Sequence, residues 1–104
     1  MSGLEAFFDD EYFISPDLIE KIRRRRCQML IHSYLYYVLD EILIPDETWQ
    51  SWANELVELQ KNHHKIKFYD DAFEGWTGDT GAFLPKDDWV IEKAHRLLNL
   101  VCTN

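Results

Sequence analysis

Apolar residues recur along the first half of the chain at the spacing of an amphipathic helix. Ser15-Pro16-Asp17 is a typical helix start, with a capping hydroxyl, a proline at the first helical position and an acid at the positive end of the dipole. The stripe that follows predicts one long helix to about Leu39. Its members are Leu18, Ile22, Cys27, Leu30, Tyr34, Tyr37 and Val38.

The pattern breaks between Asp40 and Pro45, and a second helical stripe begins after the proline. Asp46 is in a position to cap this helix. Two helices joined by a short turn predict an antiparallel hairpin over residues 16–62. The apolar members of the second stripe are Trp49, Trp52, Ala53, Leu56 and Leu59.

The remaining segments complete a single all-α domain spanning residues 1–104. Residues 63–86 contain Gly75, Gly78 and Gly81 among aromatic residues and show no helical period, so we expect a loop that its own side chains pack. After this loop, Asp87 or Asp88 can cap a terminal helix over residues 87–102. The aromatic and acidic residues 1–14 are expected to dock on the body as a short helix or turn. The predicted fold is a helical hairpin, a packed glycine-rich loop and a C-terminal helix.

Composition limits the classes of function. The chain has 104 residues, of which 46% are hydrophobic and 14% aromatic, as expected of a compact globule. Nineteen acids against eleven Lys and Arg give a net charge of −8, which disfavours duplex DNA and favours a basic protein partner. The sequence has no apolar run of membrane-spanning length and no basic signal-peptide start. We therefore expect a cytoplasmic protein that does not associate with a membrane.

Three features offer little chemistry of their own. The two cysteines and four histidines lack the spacings of zinc sites, so no metal is predicted. The four arginines Arg23 to Arg26 spread about 300° around a helix, which favours solvated ion pairs over contact with one nucleic-acid backbone. The turn from Gly78 to Gly81 lacks the Gly-Lys-Ser/Thr ending of a phosphate loop. No catalytic residue is predicted from these patterns.

A more specific signal lies in the segment SYLYYVLDEILIPDETWQSWANELVEL, from Ser33 to Leu59. Its spaced residues, continued to His63, resemble the N-terminal helical domain of NAD-dependent DNA ligases. The resemblance extends over about thirty residues without gaps, and the stretch GWTGDTGAFLP looks similar to small ligase-related proteins of phages and prophages. In ligases this domain closes over the nucleotidyltransferase domain and binds the nicotinamide mononucleotide half of NAD. The residues that carry the resemblance are Tyr34, Tyr36, Tyr37, Val38, Leu39, Asp40, Ile44, Asp46, Trp49, Glu55, Leu56, Glu58 and Leu59.

The resemblance implies a ligand site at five positions. The aromatic pair of the ligase domain matches Tyr36 and Tyr37, and its aspartate at the start of the second helix matches Asp46. Two further ligase contacts, a Tyr and an Asp, are replaced here by Trp49 and Gln50. Trp49 keeps an aromatic face, whereas Gln50 loses the negative charge that complements a pyridinium. No cofactor is predicted. NAD or nicotinamide mononucleotide is the ligand that the resemblance implies, and the changes at Trp49 and Gln50 count against it without excluding it.

The residues also permit simpler interpretations. Aromatic residues on a helical stripe often pack between helices, and a carboxylate such as that of Asp46 is often only a cap. The nearest match to the ligase Lys-x-Asp-Gly nucleophile motif is Lys86-Asp87-Asp88-Trp89, where tryptophan replaces glycine and the segment resembles a helix cap. We therefore expect a protein that is not an enzyme.

Two functions follow from these observations. The leading hypothesis is a non-enzymatic recognition module that binds a partner protein or a nucleotide through the hairpin face. The alternative is an acidic, phage-encoded inhibitor of a host defence nuclease or another nucleic-acid-binding protein, of the anti-restriction or anti-CRISPR type. Surface acids would then bind the partner, namely Asp70, Asp71, Glu74 and Asp79.

Overall fold

The computed structural model describes residues 16–63 and 65–102, and all of the regular secondary structure within them is α-helical. No strand occurs in these two stretches, so the all-α prediction is confirmed. None of the described helices combines the length and apolar character that a membrane crossing requires. Ser15 and the predicted docking of residues 1–14 lie outside the described residues. The elements are α1 (Pro16–Tyr37), α2 (Asp46–Gln60), α3 (Asp70–Phe73) and α4 (Asp88–Cys102).

The long helix α1 is central and packs against both α2 and α4. Arg25 donates a 2.7 Å hydrogen bond from Nε to Glu55, and the rings of His32 and Trp52 lie 5.8 Å apart. Residues late in α1 thus meet residues early in α2, as in an antiparallel hairpin. On α4, the ring of His95 lies 6.0 Å from that of Tyr34. The buried apolar residues that join these helices are Ile22, Met29, Leu30, Tyr34, Leu35, Ala53, Leu56, Phe73, Leu84, Val90 and Ala94.

The end of α1 differs from its prediction. The helix ends at Tyr37, not near Leu39, and Tyr37 and Val38 are 46% and 48% exposed. After the helix, Asp40 takes a left-handed conformation with φ of 57°, and the Glu41 amide donates to the Leu35 carbonyl at 2.8 Å. Tyr34 and Leu35 stay in the core, whereas Tyr36, Tyr37 and Val38 at the end of α1 lie outside it and border the hairpin turn.

Two predicted helix caps have different outcomes. Pro45 precedes the first residue of α2 and no side-chain hydrogen bond caps that helix, so the prediction that Asp46 is a cap is wrong. Asp46 itself lies in the first turn, where its charge favours the helix dipole. For α4, the Asp87 carboxylate accepts from the Val90 amide at 3.1 Å, which makes Asp87 the cap and Asp88 the first helical residue.

The four arginines of α1 do not share one environment. Arg24 forms an exposed ion pair with Glu20 at 4.0 Å, as the prediction of solvated pairs requires. Arg26 contradicts that prediction because its side chain is fully buried. Its Nη1 lies 2.7 Å from an Asp70 oxygen and 2.7 Å from the Phe68 carbonyl, and its Nε donates to Gln60 at 2.6 Å. Arg26 is therefore a polar centre that joins α1 to α2 and to the loop.

Asp70 completes this centre from the first position of α3. Its two oxygens accept from the amides of Ile66 and Lys67, each at 2.9 Å, in addition to Arg26. Burial acts to raise the pKa of Asp70, but the bonds from Ile66, Arg26 and Lys67 outweigh it and lower the pKa to about 2. The segment 63–86 thus contains a helical turn that the sequence analysis did not predict, held in place by a buried charge.

Because of this pKa shift, the stability of the fold depends on pH in the acidic range. The folded pKa of Asp70 is about 2 and the ordinary value is 3.8, so the carboxylate adds about 2 kcal/mol of stability. That contribution is complete well above pH 3.8 and is lost as the pH falls through the folded value near 2. Chemical unfolding between pH 6 and pH 2 should show this loss in the native chain and a smaller one in Asp70→Asn. The exposed Asp71→Asn variant is the control and should keep the native profile.

Candidate ligand-binding pocket

A cavity of about 310 Å³ lies where the end of α1, the hairpin turn, the start of α2 and the glycine-rich loop meet. All five residues that the ligase resemblance singled out line this one cavity. The hairpin turn supplies further lining residues, and so does the loop, through Asp79 and Thr80. The antiparallel hairpin explains the arrangement, because it places the last turn of α1 beside the first turn of α2. The five predicted residues are Tyr36, Tyr37, Asp46, Trp49 and Gln50.

Aromatic rings form two sides of the cavity. The rings of Tyr36 and Tyr37 meet edge to face with centroids 4.8 Å apart, and Tyr36 remains 48% exposed. Opposite them on α2, Trp49 packs edge to face on Trp76 of the loop, with centroids 6.2 Å apart. Rings that are held by other rings yet still line a cavity can bind a flat or cationic group at little cost in side-chain entropy.

The glycine-rich loop is attached to both helices of the hairpin. The hydroxyls of Tyr37 and Thr80 lie 2.8 Å apart, and Trp76 donates from Nε1 to the Thr80 carbonyl at 2.8 Å. Gln50 donates from Nε2 to the Gly78 carbonyl at 3.1 Å, at a point where Gly78 has a φ of +84° that favours glycine. These contacts make the loop a wall of the cavity.

Gln50 has a structural role that a carboxylate at this position cannot fill. Its Nε2 also donates to Asn54 at 3.0 Å, so both amide protons are directed to acceptors of the chain. A carboxylate at this position has no proton to donate to the Gly78 carbonyl and would repel it. Glutamine at position 50 thus helps to hold the loop against one side of the cavity.

The cavity has an acidic lining. Glu41, Asp46 and Asp79 contribute carboxylates, and the described lining residues include no Lys or Arg. Burial lowers the pKa of His32, so its imidazole is neutral at pH 7 and does not offset the acids. The Asp46 carboxylate makes no capping hydrogen bond at the start of α2. The ionisable side chains of the described lining are therefore mainly acidic, and the uncapped start of α2 adds the positive end of its helix dipole.

Ser33 is a lining residue that the sequence analysis did not select. Its side chain is 2% exposed, and its Oγ has no hydrogen-bond partner within the described residues. The backbone of Gly81 lies so close that a Cβ at that position would be 1.9 Å from the Ser33 Oγ. The spacing gives a signal for Ser33, since positions three and four residues before Tyr36 and Tyr37 lie on the same helix face. Asp79 and Thr80 carry no such signal, because their position depends on the fold of the loop.

The four acids that the inhibitor hypothesis selects do not form one group on the surface. Asp70 is only 25% exposed and is engaged by Arg26, so its carboxylate is less available to a partner than those of the exposed acids. Asp71 and Glu74 are exposed on and after α3, whereas Asp79 lines the cavity. Across the described stretches there is no group of three or more side chains arranged to bind a metal ion.

Comparisons with known proteins connect half of this chain with DNA ligases. A segment of 53 residues, 51% of the chain, is 34% identical to a DNA ligase of Pseudothermotoga lettingae. It is 32% identical to DNA ligases of Thermotoga petrophila and Thermotoga maritima. The matched segment spans 8% of the length of each of these ligases. No family model matches the chain, and no solved structure does. The predicted relation to ligases is confirmed at this level, as a distant similarity to a small part of the enzyme.

Proposed function

We propose that the chain is a non-enzymatic recognition module, related to the N-terminal helical domain of NAD-dependent DNA ligases, that binds a nicotinamide nucleotide in the hairpin pocket. One observation carries the proposal. Five positions chosen by their match to that domain, on two helices, line a single cavity of about 310 Å³. This volume lies at the lower end of the range of small-molecule sites, which suits one nucleotide better than a dinucleotide.

The chemistry of the lining supports a pyridinium ligand. Tyr36 and Trp49 line the cavity, and a flat cationic ring gains both stacking and electrostatic attraction from aromatic rings. The Asp46 carboxylate, which makes no capping hydrogen bond, can accept hydrogen bonds from ribose hydroxyls or from the carboxamide. As a recognition module, the chain would bind its ligand without transforming it.

Replacing Tyr36 with alanine should weaken nicotinamide mononucleotide binding by about 5- to 30-fold, the effect of losing one aromatic face from a cationic ligand. Isothermal titration calorimetry with NAD and with nicotinamide mononucleotide measures this directly. Phe83→Ala is the matched control, because Phe83 is an aromatic residue that is 92% exposed and does not line the cavity.

The control should bind like the native chain. If the native chain takes up neither ligand at millimolar concentration, the proposed function is wrong. Equal affinities of the Tyr36→Ala and Phe83→Ala variants would instead place the ligand outside this pocket.

A further inference from the structure

A groove of about 440 Å³ lies between α1 and α4. Its lining residues on α1 begin at Glu20 and end at His32, a stretch of about 18 Å along the helix axis. Ile31 and Leu97 line it from the two helices, and both are only half-buried. This α1/α4 groove therefore has the length to hold a peptide segment and an apolar surface that the described elements leave partly uncovered.

The α1/α4 groove is locally basic, although the chain as a whole has a net charge of −8. Arg23 and Arg24 line it and are exposed, and Glu20 is the one acid of its described lining. The distance of 4.0 Å between Arg24 and Glu20 is long for an ion pair, and both side chains are more than half exposed. On α4, Lys93 lies near enough to Cys27 for its charge to act on the thiol. The groove therefore attracts acidic groups.

A segment with matching chemistry comes directly before α1 in the same chain. Residues 1–14 contain four acids, four aromatic residues and no Lys or Arg. The two kinds of residue are adjacent in the stretch FFDDEYF, residues 7–13. Aromatic side chains at this density gain free energy when an apolar surface covers them, and the acids between them gain from nearby arginines. The segment thus offers both of the groups that the groove can bind.

The position of the segment in the chain also allows it to reach the groove. Ile31 lies 15 residues after Pro16, the first residue of α1, which is about 22 Å along the helix. Phe8 lies eight residues before Pro16, and eight extended residues span about 26 Å. A segment that runs back beside α1 can therefore place Phe8 next to Ile31. Its acids, which are nearer to Pro16 in sequence, then lie beside the two arginines.

We infer that residues 1–14 dock in the α1/α4 groove, with their phenylalanines on Ile31 and Leu97 and their acids beside Arg23 and Arg24. The occupant of the groove is thus a segment of the same chain. The acids of the segment offset the positive charge of the two arginines, so the surface left for a partner is more uniformly acidic.

The native thiol of Cys27 is a probe of this docking, because Cys27 lines the groove and is half-buried. The full chain is treated with the neutral reagent N-ethylmaleimide, and mass spectrometry distinguishes labelling of Cys27 from that of Cys102. Phe7→Ala combined with Phe8→Ala should raise the Cys27 rate about tenfold or more, because the segment loses the apolar area that holds it in place. Phe83→Ala is the control and should keep the native rate, since Phe83 is exposed and lies outside the groove.

Salt tests the contribution of charge without any substitution. Raising the salt concentration should speed up Cys27 labelling of the native chain by about 2- to 3-fold, because screening weakens the attraction between the acids and the arginines. The double phenylalanine variant measures the direct effect of salt on the thiol, and its rate should change less. The native rate should not depend on protein concentration, since the segment and the groove belong to one chain.

Three results would overturn the inference. One is an unchanged Cys27 rate in the double variant. Another is a native rate that falls as the protein concentration rises, which would assign the groove to a second copy of the chain. If labelling of Cys102 rises as much as that of Cys27, the two substitutions have loosened the whole fold and the native chain decides. A native Cys27 rate that does not respond to salt is then the third contrary result.

Discussion

Replacing Arg26 with alanine is expected to lower the free energy of unfolding by about 3–5 kcal/mol, a large part of the stability of a small domain. The side chain is fully buried and donates to Gln60, to the Phe68 carbonyl and to Asp70. Its removal leaves those acceptors without their buried donor and opens a cavity between α1, α2 and α3. Thermal unfolding followed by circular dichroism should show a midpoint lowered by about 15 °C or more.

Arg24→Ala is the matched control, since Arg24 is a neighbouring arginine whose pair with Glu20 is exposed and 4.0 Å long. Its effect should stay within about 0.5 kcal/mol. A double-mutant cycle with Arg26→Met and Asp70→Asn identifies the ion pair as the source of the effect. The double variant should be more stable than the sum of the single changes predicts, by about 1 kcal/mol or more. Additive changes would show that the loss comes from packing alone.

Arg26 also shows why part of the fold was not predictable from the sequence. Helix starts and apolar periodicity are local features, and they predicted the three long helices and the hairpin turn between Asp40 and Pro45. A buried arginine has no local signature, because it is buried only if distant residues supply acceptors for it. Its partners Gln60 and Asp70 lie 34 and 44 residues further along the chain. Four adjacent arginines gave no indication that one of them belongs to the core.

The pocket likewise has one part that the sequence predicted and one part that it did not. The resemblance to ligases named five residues that meet at one cavity, because two antiparallel helices carry them and their register is fixed by the core. The loop wall was not predictable. Its position depends on tertiary contacts such as the pair of Tyr37 and Thr80, and on a close approach at Gly81. The segment was expected to pack through its aromatic residues, and Trp76 does pack on Trp49 and Phe73.

Gly81→Ala is expected to destabilise the chain by about 1–3 kcal/mol and to displace the loop from the pocket. A Cβ at this position would lie 1.9 Å from the Ser33 Oγ, 2.8 Å from the Ser33 Cβ and 3.3 Å from Trp49. Ser33 is buried on the central helix, whereas Gly81 lies in a loop, so we expect the loop to move. Urea unfolding measures the loss of stability, and Trp49 and Trp76 provide fluorescence that reports the displacement.

Gly75→Ala is the control that separates the contact with Ser33 from the backbone effect of replacing a glycine. Gly75 has a φ of +72° and open space around its Cβ position, so its variant should lose about 1 kcal/mol from conformation alone and leave the loop in place. Adding Ser33→Gly to Gly81→Ala removes both atoms that the new methyl group meets most closely. Although glycine within α1 costs about 1 kcal/mol, this double variant should return the loop to the pocket and restore the tryptophan fluorescence of the native chain. A double variant whose fluorescence stays like that of Gly81→Ala would show that contact with Ser33 is not what limits position 81 to glycine.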